Sequence, residues 1–201
     1  MRESKRKEAV NEAMREIADD PDLIRSLLAT LGDKGTARFK AARKLQLVSQ
    51  ANPALLYPHF QAFAQLLDSS SSVLLWNGII ILSRLATVDT KKRFDTILDR
   101  YYVRLWDGKL VTAANILGSS GRIARCRPDL AERITAELLK VDTIPLPTAE
   151  CREVARGSVL ASFAEYPDIL KDNQAARDFA IRCTASHRPA VKKQAERLLH
   201  G

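Results

Sequence analysis

Gly118-Ser119-Ser120-Gly121-Arg122 gathers two glycines, two hydroxyls and a guanidinium, a composition able to cradle a phosphate. Its context points elsewhere. A phosphate loop follows a strand and ends in Gly-Lys-Ser/Thr, whereas this stretch lies inside an Ala/Ile/Leu pattern of helical period. Close helix packing is therefore the role expected of Gly118 and Gly121. His59, His187 and His200 are far apart, and none falls in a recognised metal-ligand spacing. Gly157-Ser158 lacks the flanking glycine of a nucleophile elbow. Cys126, Cys151 and Cys183 are odd in number and widely spaced, which suits reduced thiols better than zinc ligands or a redox pair. No catalytic residue, cofactor or metal is expected, and no small-molecule substrate is indicated.

Two further clusters carry charge or rings. Arg100, Tyr101, Tyr102, Arg104 and Trp106 could stack bases and meet phosphates. The stronger reading is an amphipathic helix, with Phe94, Ile97, Leu98, Tyr101 and Leu105 on one side, the aromatic residues packed and the arginines in water. Trp76 stands open between core and surface. Lys34, Arg38, Lys40, Arg43 and Lys44 occur with no acid among them, and Arg188, Lys192, Lys193 and Arg197 crowd the last helical segment.

The elements that must position these residues repeat. Pro21-Asp22-Leu23, Pro53-Ala54-Leu55, Pro128-Asp129-Leu130 and Pro167-Asp168-Ile169 open successive units, with Thr90-Lys91 in the one opening that lacks proline. Proline at a first helical turn loses no hydrogen bond. Each unit reads as a helix, a polar turn and a second helix. In the unit opening at Pro53, the first helix is expected to run through Leu67. Asp33, Asp68, Asp107 and Asp142 fall in the turns, where a carboxylate could cap the helix that follows. Small residues early in each second helix (Ala41-Ala42, Gly78, Ala113-Ala114, Ala155, Ala195) precede Leu45, Leu82, Leu117, Leu160 and Leu198. Small then large at that spacing lets two helices approach closely. Residues 1–20 read as a basic leader and capping helix, and 21–201 as the array.

Opening proline, turn aspartate and small-before-leucine together resemble the HEAT-repeat family of α-solenoids, and the stretches NPALLYPHFQAFAQLLDS and HRPAVKKQAERLL resemble uncharacterised prokaryotic HEAT-like proteins. The resemblance implies an all-α, right-handed α-solenoid of about five HEAT-like hairpins behind an N-terminal helical cap. It also implies that second helices line a concave face. Lys40 and Arg43 at one end, Lys192 and Lys193 at the other, and Asn77, Thr112 and Arg156 at matching positions between them would then form a basic-tipped groove. The expected function is a non-enzymatic scaffold whose groove recognises another protein or peptide. The alternative is nucleic-acid binding through the basic tips, as in the HEAT-like DNA-alkylation repair glycosylases. Those enzymes set an acidic residue and aromatics together in the groove, and no such set is visible in this chain.

Composition bounds the rest. A chain of 201 residues that is 46% hydrophobic can bury a substantial core. Its longest apolar run, Gly78 to Leu82, is far below the about 18 residues of a membrane span, so a soluble, cytoplasmic protein without a membrane partner is expected. The formal net charge of +8 suits an anionic partner and also suits many ordinary soluble proteins.

Overall fold

The structure, a computed structural model, describes residues 2–200, with the side chains of Arg2, Glu3 and Arg6 excepted. The described residues form helices and turns with no β-strand. The contacts divide the chain into two compact units, Met1–Ile97 and Leu98–Gly201.

In the first unit, α1 (Arg2–Asp19) packs on α3 (Ala37–Ala51) through buried Ala13 and Ile17, and its helix runs straight through the charged residues expected as a leader. Met1 and the side chains of Arg2, Glu3 and Arg6 in that leader lie outside the described residues. Helix α2 (Leu23–Thr30) lies against α3, and α3 against α5 (Ser72–Leu85). The expected first helix after Pro53 is shorter than its apolar pattern suggested. Pro58 has no N–H to donate, and the segment breaks into 3₁₀ turns at Pro53–Leu55 and Tyr57–His59 before α4 (Phe60–Gln65) begins. Gly78 is where α5 meets this layer. A Cβ there would stand 2.7 Å from Leu66 Cβ. Leu82, one turn on, is fully buried, as the small-then-large pattern requires.

The opening without proline is held by Asp89. Its carboxylate accepts from the Arg93 and Phe94 N–H groups, both at 2.8 Å, and from the Tyr57 hydroxyl at 2.6 Å. Lys92 beside it adopts a left-handed backbone, φ 52°. A buried carboxylate thus replaces what proline does elsewhere.

In the second unit, α6 (Leu98–Tyr102) and a 3₁₀ turn, Val103–Asp107, lead to α7 (Leu110–Cys126). Then come α8 (Ala131–Leu139), α9 (Ala149–Phe163), the short α10 (Ile169–Asp172), α11 (Gln174–Cys183) and α12 (Pro189–His200). The second helices α7, α9 and α12 pack side by side, while α8 and α11 form the other layer. Phe163 and Phe179 meet edge to face between the layers, with centroids 6.1 Å apart.

The tightest crossing is between α7 and α9. A Cβ on Gly121 would fall 2.4 Å from the Ser162 carbonyl oxygen, so only glycine fits. Ser162 Oγ accepts from the Gly121 N–H at 2.8 Å and donates to the Leu117 carbonyl, stepping into the hydrogen-bond ladder of α7. Gly118 is less constrained, since its added Cβ would meet Ser158 Cβ at an ordinary 4.0 Å. The suspected phosphate motif is therefore a helix-packing motif, centred on Gly121.

None of the four turn aspartates is itself an N-cap residue. The N-cap residues of α3, α5 and α7 are Thr36, Ser71 and Lys109, none with a side-chain cap bond. Thr148 caps α9, and Asn173 caps α11. Asp107 and Asp142 instead take arginines, Arg104 and Arg156 respectively. A fully charged partner within reach outcompetes the partial charge of a helix end.

Candidate binding face

In the second unit, α7, α9 and α12 turn a common surface to solvent. Apolar positions pack inward on α7, leaving Val111, Asn115, Gly118, Arg122 and Arg125 as an exposed or half-buried stripe at helical spacing. On α9 the same spacing leaves Val154, Ser158 and Ala161, and Glu165 continues the row in the turn just beyond. Gly118 and Ser158 face each other, and Arg125 on α7 reaches Glu165 in the turn after α9 with a 3.6 Å ion pair. Small side chains thus form the centre of the face, with cations at its edges.

Beyond α9 the face deepens into a hollow of ≈ 680 Å³ lined by Ala164, Pro167, Ala190, Lys193, Gln194, Arg197 and Leu198. Lys193 and Arg197 are four residues apart, so they project from one side of α12. Both are exposed, and neither they nor Lys192 make an ion pair among the described residues. Leu198 occupies the large position of the small-then-large pattern. Its counterparts Leu45, Leu82, Leu117 and Leu160 are all fully buried, but Leu198 is only half-buried.

The other residues expected to bind a partner fare differently. Thr112 is fully buried and has no surface to offer. Arg156 points the other way, into a polar cleft of ≈ 350 Å³ lined by Asp142, Glu153, Ser186 and His187 among others. Its Nε donates to Asp142 at 2.8 Å and its Nη1 to Glu153. Burial opposes the charge of Arg156, but the hydrogen bonds and charges of the two carboxylates outweigh it and hold its pKa up. Glu153 also accepts from the Ser186 hydroxyl, so one buried carboxylate ties α9 to the turn before α12. In the wall of the same cleft, burial pushes the Cys183 thiol up to about 11, which makes it a poor nucleophile at neutral pH.

In the first unit, Lys40 is exposed and Arg43 donates to Gln46 Oε1. Lys44 is paired with Glu16 across the α1–α3 contact, and Arg38 lies over the Phe39 ring at 4.9 Å. Asn77 is half-buried, and its Nδ2 donates to the Val73 carbonyl at 2.8 Å. Trp76 is half-buried, between the two alternatives open to it. Of the aromatic cluster, Tyr101 and Tyr102 are core, and Tyr102 donates to Ser120 Oγ at 2.7 Å. Trp106 is 46% exposed, against the expectation that it packs. The seven expected residues therefore split into exposed cations (Lys40, Arg43, Lys192, Lys193), a partly committed amide and two residues engaged inside the fold. The hollow beside Lys193 had no advance signal except the alanines at 164 and 190, which are common in any helix.

Among the described residues no group of three or more His, Cys, Asp or Glu side chains could hold a metal ion. No described helix is long and apolar enough to cross a membrane. No family model and no curated protein matches the chain. A designed armadillo repeat protein resembles it in structure over 98% of this chain and 91% of its own, with a TM-score of 0.66 and 18% sequence identity. That likeness, with the paired helices described above, makes the fold an all-α helical-repeat solenoid.

Proposed function

We propose that this chain is a non-enzymatic scaffold of HEAT-type repeats, capped by α1, that binds another protein or a peptide on the exposed face of its second helices. The observation that carries this reading is the row α7–α9–α12. Its surface centre is built from Gly118, Ser158 and Ala161, where a packed interior would call for bulk, and it opens beyond α9 into a hollow with cations on its rim. Small side chains let a partner's backbone come close, and repeat arrays offer such continuous faces because each unit adds one more helix to the same surface.

The test is site-specific photocrosslinking. A photoreactive amino acid placed at Ala161 or Asn115 should capture a discrete protein partner in cells, while the same group at Glu132 or Asp178, on the other helix layer, should not. Equal capture at both sets of positions, or none at either, would remove the reading.

A further inference from the structure

Resting on that reading, we infer that the hollow between α9 and α12 is the seat of an acidic peptide segment that inserts one bulky aliphatic or aromatic side chain. Leu198 is the first observation. At the position that is fully covered in the four other second helices, it is left half-buried beside Ala164, Pro167 and Ala190, so an apolar floor lies open to solvent. Such a floor favours an apolar side chain that would otherwise stay in water.

Charge sets the rest of the occupant. The lining contains Lys193 and Arg197 and no carboxylate. Of the neighbouring acids, Glu165 is matched with Arg125 and Asp168 with Lys171, and Glu196 on α12 lies outside the lining. Lys192 adds a third exposed cation on the same helix. An acidic segment complements this rim, and Gln194, half-buried in the lining, offers an amide to its backbone. A nucleic acid fits less well. It would gain from the cations, but the lining holds no aromatic ring on which a base could stack, and the aliphatic floor would be wasted on a phosphate backbone.

The experiment selects peptides from a random displayed library against the full chain and measures the enriched ones on variants. The expected result is enrichment of Asp/Glu-rich peptides around a Leu, Ile, Phe or Trp. These should bind the K193E/R197E variant at least about tenfold more weakly, a loss of about 1.4 kcal/mol by the affinity relation. They should weaken similarly on A164Q/A190Q, which fills the hollow with neutral bulk and leaves the rim charges in place. Circular dichroism of each variant checks that the helices remain. Peptides of neutral or basic character, or peptides indifferent to both variants, would overturn the inference. Enriched peptides that are lost on Ala161→Gln alone would also overturn it while leaving the scaffold reading intact. An absence of enriched peptides together with absent crosslinks at Ala161 would remove both. Short duplex DNA that competes with the peptides and loses affinity equally on K193E/R197E would put nucleic acid in the hollow instead. Self-association abolished by A164Q/A190Q would put a second copy of the chain there.

Discussion

Glu153 shows how much one buried side chain can carry. It is 4% exposed, and burial alone would raise its pKa. The hydrogen bonds from Ser186 and Arg156, with the charges of Arg156 and His187, outweigh burial and hold it below the ordinary 4.5. A carboxylate depressed in the folded state contributes stability that is present above its unfolded value and is lost as pH falls through the folded one. Glu153→Gln should therefore destabilise the protein at neutral pH by about 1–3 kcal/mol, the range for breaking a buried charge-assisted hydrogen bond. The gap from wild type should begin to narrow as pH drops below 4.5 and close once pH has passed the depressed folded value, where the folded wild-type carboxyl is neutral as well. Urea unfolding followed from neutral to acid pH reads both effects. A constant gap across that range would show that the charge of Glu153 is not what holds the turn.

Elements in this chain are positioned by close approaches, and the two glycines of α7 separate packing from propensity. At Gly121 an added methyl would meet the Ser162 backbone, which cannot swing aside as a side chain could. Gly121→Ala should destabilise by about 1–3 kcal/mol, as overpacking does, and should disturb the Ser162 bridge to Leu117. Gly118→Ala meets only an ordinary contact, so the helix preference for alanine should dominate and stabilise by about 0.5–1 kcal/mol. Opposite signs from the same substitution three residues apart, read by denaturant midpoints, are the expected outcome. If both variants were destabilised alike, the contact at Gly118 would be closer than described, and if both were stabilised the α7–α9 crossing would not be as close at Gly121 as described.

Over the whole molecule, the formal charge of +8 is carried largely by exposed side chains, and Lys40, Arg43, Lys192 and Lys193 are among them. Replacing all four by glutamine should leave stability within about 0.5 kcal/mol per site, since none of them is buried. Wild type should hold duplex DNA only at low salt, with affinity falling at a log–log slope near 0.9 per phosphate neutralised, and the four-site variant should show a shallower slope. Tight DNA binding that survives physiological salt and collapses in the variant would replace the scaffold reading with nucleic-acid recognition.

The helical period, the unit openings at Pro53 and Pro128 and the burial of Leu45, Leu82, Leu117 and Leu160 were all legible in the sequence, because each depends on residues within a few positions of one another. The break at Pro58 was legible too, in the missing N–H, but was outweighed by the apolar pattern around it. Which side of a helix meets which neighbour is not local. Thr112 and Arg156 shared a register with Asn77 in the aligned units, yet tertiary packing buried the first and turned the second toward Asp142, fourteen positions earlier in the chain. The turn aspartates likewise read as caps, yet Asp142 takes Arg156 from the following helix, a partner that the local pattern around the turn does not name. The hollow beside Lys193 exists only because α12 docks on α9 through Val191 and Ala195 and leaves Leu198 partly uncovered. A cavity is a property of the space between elements, and only the packed structure defines that space.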